Sequence, residues 1–432
     1  MKNLKVDDIL LQEAVGAAKS ADVVVVHVGL PDVFEVEGLD RTHMALPDSH
    51  NQLVEHVAAI HEHVVVVLSN GSPVEMPWID KVDAVLEGYL GGQAGAGGLA
   101  DVLYGIVNPS GKLAETFPLK LSDTPCYRYY PGGPKTVEYR ESLYIGYRFY
   151  DKVEKEVLFP FGHGLSYTSF AYEDLQLSHQ QIDENDTLQV QITVRNTGDL
   201  EGKEVVQLYV SPIEPTAFRP VAELKGFDKV HLAPGESCQV IFNLDRRAFA
   251  HFSTLLNDWQ VESGDFRILV GASSRQIHLE GKVSVQAQKK VDIPMRDRLP
   301  AYVDFPANAQ IKQEDFETLM GHPMPANTIN KGETATINTP IGDMQHSFIA
   351  RRLQKTMQKQ MQAMIGEDDQ SPNALTMQGV MNDAPLRTFL MSGGDQINRE
   401  MINGLLLLIN QHFFKGIATL LRARRKLSLI HI

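Results

Sequence analysis

Cysteine is almost absent. The two present, Cys126 and Cys238, lie in different parts of the chain, a placement that argues against a disulfide framework and suits a reducing, cytoplasmic compartment. Basic residues are in the minority, 40 Lys and Arg against 54 Asp and Glu, for a formal charge of -14. General nucleic-acid binding needs clustered, unbalanced cations, so it is excluded, whereas small neutral or cationic ligands are not. Long hydrophobic runs are missing as well. The stretch "GLLLLIN" is too short to span a bilayer, and "MKNLKVDDILLQEAVGAAKS" spaces Leu4, Ile9, Leu10, Ala14 and Ala17 at helical intervals among charges, unlike a signal peptide. No G-x-S-x-G elbow occurs, and no Ser or Cys sits in a setting that marks a nucleophile.

What is present divides into regions. At roughly 150 residues per domain, 432 residues suggest two to four domains. Residues 4 to 19 read as an amphipathic helix, and "DVVVVHVGL" reads as a strand covered on both faces. A helix "PDSHNQLVEHVAAIHE" follows, with Leu53, Val54, Val57, Ala58 and Ile60 on its apolar side, then the strand "HVVVVLSNGSP". "VDAVLEGYL" and "GGQAGAGGLADVLYG" add a third strand, a glycine-rich turn and a helix. Strands alternating with helices indicate a parallel α/β layer, whose ligands sit beyond the carboxyl ends of its strands. From "FPFGHGLSYTSFAYEDL" onward the pattern becomes all-β, with "TLQVQITVRNTG", "KEVVQLYVSP", "SCQVIFNLD" and "DFRILVGASS" separated by turns, as in a sandwich of about a hundred residues. The expected divisions are a partial α/β sandwich (1–166), a β-sandwich (167–289), a Pro/Asn/Thr/Gly-rich linker (290–343) and a helical extension (344–432). The last helix is basic and amphipathic, and it and Met357, Met361 and Met364 fit packing within the chain better than a membrane or groove role.

Each chemical candidate has a plain structural competitor. Gly95–Ala100, "GAGGLA", fits a pyrophosphate-binding turn only weakly, since no ribose-binding acid follows, and a tight turn suffices to explain it. The run His61–His63 lacks the ligands to complete a metal geometry, so no metal is expected. Asn70 and Asn185 begin N-x-S/T triplets, which matter only in a secreted eukaryotic protein. The loop "VGLPDVFEVEGLDRTHMALP", residues 28 to 47, is more pointed. It follows a strand end and carries Asp32, Glu35, Glu37 and Asp40. Glu35 and Glu37, two apart, face the same way in an extended loop, Gly38 permits a sharp turn, and Asp40 and Arg41 can brace the shape. A carboxyl held here is a candidate general acid, and spacing alone does not choose between the two glutamates.

Together, "EGLDR" with "MALP", "GGQAGAGGLADVLYGIVNPSGKLAETFP", "ESLYIGYRFYD" and "FPFGHGLSYTSFAY" resemble, in order and spacing, the carboxyl-terminal half of glycoside hydrolase family 3 β-glucosidases. "VRNTGDLEGKEVVQLYVSP" and "ELKGFDKVHLAPGES" resemble the fibronectin type III-like domain that follows in that family. The resemblance spans roughly residues 10 to 285, and some bacterial members carry a helical extension like residues 290 to 432. It implies retaining hydrolysis of terminal, non-reducing β-linked glucosides or oligosaccharides by two carboxyl groups about 5 to 5.5 Å apart, with no cofactor. It further implies an aspartate nucleophile on a (β/α)8 barrel and a glutamate acid/base on the α/β sandwich, matched here by Glu37 before Gly38; Leu39 replaces the family's usual tyrosine. No segment reads as a barrel, which needs roughly 200 residues or more. The expectation is therefore of a chain that starts inside a domain and supplies the acid/base without the nucleophile. A non-catalytic carbohydrate-binding or regulatory module is the alternative, and homo-oligomerisation is left open.

Overall fold

The computed structural model describes all residues except 1–4, 255, 289–294, 329, 331–332, 366–370, 393–396 and 431–432. Helix α1 (Asp8–Ala18) starts where the Asp7 carboxylate accepts from the amides of Ile9 and Leu10, satisfying donors that have no partner within the helix. Strand β1 (Val24–Gly29), helix α2 (Asp48–Ala58), strand β2 (Val64–Ser69), strand β3 (Ala84–Glu87) and helix α3 (Gly95–Leu103) follow. The strands form one parallel sheet in the order β1-β2-β3.

Coverage is uneven. In β2, Val64, Val66, Val67 and Leu68 are all buried, so both faces of the central strand are packed. In β1 only Val26, Val28 and Gly29 are buried, while Val25 and His27 are exposed. This corrects the expectation of a doubly covered strand: a β-branched run signals strand propensity, but Val26 and Val28 pack with Val54 and Val57 on one face while Val25 and His27 point to the other face, which is open at β1. Likewise α1 buries Leu11 and Ala18 but leaves Ile9 and Leu10 exposed, α2 ends before Ile60, which is exposed, and α3 buries no residue at all. Trp78, fully buried, joins Val54, Val57, Leu46 and Phe117 in the core under the sheet.

After helix α4 (Tyr147–Lys152), the all-β region comprises β4 (Phe170–Leu177), β5 (Gln181–Asp183), β6 (Leu188–Asn196), β7 (Gly202–Pro212), β8 (Glu223–Leu232), β9 (Ser237–Leu244), β10 (His251–Ser253), β11 (Asp258–Gln260), β12 (Gly264–Gly271) and β13 (Ile277–Gln286). A five-stranded sheet, β5-β13-β12-β7-β8, faces a three-stranded sheet, β4-β6-β9. Leu188, Val190, Ile192 and Val194 alternate inward from one sheet and meet Val206, Leu208, Ile268 and Val283 from the other, the period-two pattern read in the sequence. Lys112 of the first domain joins the two domains by pairing with the buried Glu204 at 3.2 Å and donating to the Gly164 carbonyl at 2.7 Å.

Within the expected linker, residues 295–320 form short helices and α5 (Gln313–Met320), and Leu299, Tyr302, Phe305, Ile311 and Phe316 are buried against Tyr144, Phe149, Tyr150 and Ala217. The Tyr144 hydroxyl donates to the Tyr302 carbonyl at 2.6 Å, and Arg140 donates to the Ile311 carbonyl at 2.9 Å while lying over the Tyr129 ring. Composition suggested a connector because Pro and Asn hide the apolar spacing; the aromatic residues between them make it a packed strap.

Among its described residues the extension contains the helices α6 (Phe348–Ile365), α7 (Pro372–Asp383), α8 (Arg399–Ile409) and α9 (Phe413–Ile430), with a short helical turn at Thr388–Ser392. Ile341, Met344, Leu386, Ile402 and Ile409 make its core, with Met357 packed beside them, whereas the side chains of Met361 and Met364 lie outside the described residues. The basic last helix packs on α8, with a side-chain carbon of Leu420 close to Gly404 and one of Leu408 close to Gly416. No described helix is long and apolar enough to cross a membrane.

Candidate active site

The acidic loop leaves the carboxyl end of β1 and crosses the loop that follows β2. It is shaped locally by the amides of Phe34, Glu35 and Leu39 donating to the carbonyls of Pro31, Asp32 and Val36. Gly38 turns at φ +88°, a left-handed conformation that L side chains rarely adopt. Three charged side chains then tie the loop down. The Glu35 carboxylate accepts from the Gly71 amide at 2.8 and 3.1 Å, Arg41 donates to the Ser72 hydroxyl at 2.6 Å, and the Tyr130 hydroxyl donates to Asp40. Burial lowers the Arg41 pKa and the adjacent Glu35 charge partly restores it; its Nε and Nη2 are buried without a hydrogen-bond partner.

Glu37 is different. It is exposed, and among the described residues no hydrogen bond or ion pair engages its carboxylate. Glu35, half-buried, is the less exposed of the two. The physical reason is local: the turn at Gly38 carries Glu37 outward while Glu35 is captured by a backbone donor.

Beneath the loop lies a cluster that residue spacing did not suggest. Glu87, at the end of β3, accepts from the Tyr89 amide at 2.9 Å and from the Asn70 side chain at 3.4 Å, and the Tyr89 hydroxyl donates to Glu115 at 3.2 Å. Burial pushes the Glu87 carboxyl up to about 7, with its backbone and Asn70 bonds opposing and the Glu115 charge adding; burial raises Glu115 as well. The available signal was an acid closing the apolar run "VDAVLE". Asn70 itself is fully buried, so as a glycosylation acceptor it is inaccessible.

The remaining candidates resolve structurally. Gly92 needs its φ of +62°, and a Cβ on Gly91 would lie 2.8 Å from the Gly95 Cα, so the turn before α3 requires glycine; Gly95, Gly97 and Gly98 meet nothing within 4 Å. His61 bonds to the Ala21 carbonyl at 2.9 Å and His63 lies 3.4 Å from Asp83. Among the described residues no three His, Cys, Asp or Glu side chains are grouped as metal ligands. A shallow cleft at the end of β1 is lined by His27–Pro31, His50 and Ser69, and burial lowers the His50 pKa.

Comparison with known proteins gives the same picture region by region. Residues 4–167 match the glycosyl hydrolase family 3 C-terminal domain, and residues 204–274 match the fibronectin type III-like domain. The thermostable beta-glucosidase B of Acetivibrio thermocellus is 55% identical over 291 residues, 67% of this chain and 38% of that protein. An exo-alpha-(1->6)-L-arabinopyranosidase of Bifidobacterium breve is 45% identical over 285 residues, 66% of this chain and 37% of that protein. The crystal structure of a family 3 beta-glucosidase from Bifidobacterium adolescentis superposes with a TM-score of 0.65 at 42% identity, covering 71% of this chain and 46% of that one. The chain thus spans less than half the length of each of these relatives.

Proposed function

Because the chain carries the glycosyl hydrolase family 3 C-terminal domain followed by the fibronectin type III-like domain, we propose that it supplies the general acid/base of a retaining β-glucosidase-type hydrolase. Its substrate is a terminal, non-reducing β-linked glucoside, and the nucleophile belongs to a (β/α)8 barrel outside this chain. Glu37 protonates the glycosidic oxygen as the barrel's carboxylate attacks the anomeric carbon. In the second step the Glu37 carboxylate takes a proton from water, which attacks the anomeric carbon and releases the sugar.

The choice of Glu37 rests on its match to the glutamate that precedes glycine in the family motif. The loop supports it: within "EVEGLDR", Glu35, Asp40 and Arg41 hold the loop in place, while the Glu37 carboxylate is exposed and free of partners among the described residues. Docking of the barrel supplies the desolvation and neighbouring charge that a proton donor needs at neutral pH. The pyranose itself is a second question. The likeness to an arabinopyranosidase at 45% identity favours testing arabinopyranosides beside glucosides.

The test uses the barrel-bearing enzyme. Glu37→Ala is expected to slow substrates with poor leaving groups by roughly a hundredfold or more while sparing glycosylation by activated aryl glycosides. Should Glu35→Ala give that pattern and Glu37→Ala behave like the parent, the acid/base is Glu35; if neither does, a non-catalytic carbohydrate-binding or regulatory module is the better account.

A further inference from the structure

Helix α7 meets the acidic loop backbone to backbone. A Cβ built on Gly379 would lie 2.5 Å from the Gly38 carbonyl oxygen and 3.2 Å from Leu39 Cδ2. From the loop side, a Cβ on Gly38 would come within 3.7 Å of the Thr376 carbonyl and 3.9 Å of Val380 Cγ2. Residues 376, 379 and 380 share one face of a helix, so the contact is a helix face laid on the loop tip, with a glycine on each side where a side chain would hold the two apart. Gly379 has no conformational need for glycine: it sits inside a helix, where glycine costs about 1 kcal/mol against alanine. The close approach to Gly38 is the physical requirement that glycine meets there.

The contact also completes a pattern. The loop's base is held by Gly71 and Ser72, and one flank by Tyr130; at residues 38 and 39, next to Glu37, the support comes from the extension. We propose that α7 of the carboxyl-terminal extension is a positioning element for the catalytic loop, acting through Gly379, and that the extension thereby sets the direction in which Glu37 is presented. The catalytic part of this inference rests on the assignment of Glu37, but the mechanical part does not.

Two measurements keep these apart. In the chain itself, amide hydrogen exchange is followed in peptides spanning 33–42, with peptides from β6 and β7 as an internal control. Gly379→Ala and Gly379→Leu are expected to speed exchange of the loop in that order, the latter by about tenfold or more, while the control peptides do not change. Leu39→Ala, which alters the loop side and leaves the helix sequence intact, should also speed loop exchange while peptides 372–383 keep their protection, which guards against simple unfolding of α7. Unchanged loop exchange in both Gly379→Leu and Leu39→Ala overturns the proposal.

In the barrel-bearing enzyme, Gly379→Leu should lower kcat for poor leaving groups about tenfold at nearly constant KM, sparing activated aryl glycosides. A loosened loop with no such leaving-group dependence removes α7 from catalysis. A loosened loop together with an inert Glu37→Ala leaves the positioning intact and removes the functional assignment instead.

Discussion

The first domain and the β-sandwich are built on opposite terms. In the sandwich, eight strands in two sheets enclose a core in which Leu188, Val190, Ile192, Val206, Leu208, Ile268 and Val283 are fully buried. In the first domain a three-stranded sheet ends in two edge strands, β1 and β3, and the domain has one helix that buries nothing and exposed Leu90, Tyr104, Ile106 and Val107. The candidate carboxyl belongs to the less finished of the two. The sandwich core is closed between two sheets, whereas the first domain has a smaller core on its sheet and a loop braced by a few polar contacts.

The largest expected effect sharpens that contrast. In limited proteolysis of the purified chain, residues 5–165 should be cut first and the sandwich should persist as a resistant fragment, because local opening is easiest where few apolar contacts must break. A fragment retaining 5–165 after digestion of 175–285 breaks the comparison. Next, Ile192→Ala in the sandwich core should cost about 3 kcal/mol in chemical denaturation, while Val25→Thr on the exposed face of β1 should stay within about 0.5 kcal/mol. Comparable losses would mean that this face of β1 is covered in solution.

A smaller effect is confined to one pH window. Glu87 is held in the folded first domain at about 7, above its ordinary value, so between about 4.5 and 7 the native state keeps a proton that the unfolded chain has released. Stability therefore falls as pH rises through that window, the native state binding more protons. Glu87→Gln should flatten the fall in a melting series from pH 5 to pH 8, leaving the sandwich transition alone. An unchanged slope would show that Glu87 does not carry it.

Much of this was legible in the residues, for identifiable reasons. Period-two alternation exposed the sandwich strands because each has one wet face and one dry face, as in "TLQVQITVRN". The parallel sheet was readable from the valine runs, but those same runs misstated β1, since propensity does not say which faces of a strand are covered. The strap over residues 295–320 resembles a linker in composition because its buried residues Tyr302, Phe305, Ile311 and Phe316 follow no single period. At the loop, residue types identified Glu35 and Glu37 as a pair. Their difference arises from Gly71, thirty-six residues after Glu35, donating to one and not the other, a contact no local pattern encodes. The Glu87, Tyr89 and Glu115 cluster and the seat of α7 on Gly38 were hidden for the same reason, being tertiary meetings of segments far apart in sequence.

The central claim is that Glu37 is the loop's acid/base, and chemical rescue tests it most directly. In the barrel-bearing enzyme carrying Glu37→Ala, an activated aryl β-glucoside should load the nucleophile normally but deglycosylate slowly, and added azide should restore turnover and yield the β-glucosyl azide, because a small anion needs no general base. If Glu37→Ala turned over without azide at the parent rate, and Glu35→Ala were the variant that azide rescued, the assignment of Glu37 would be contradicted.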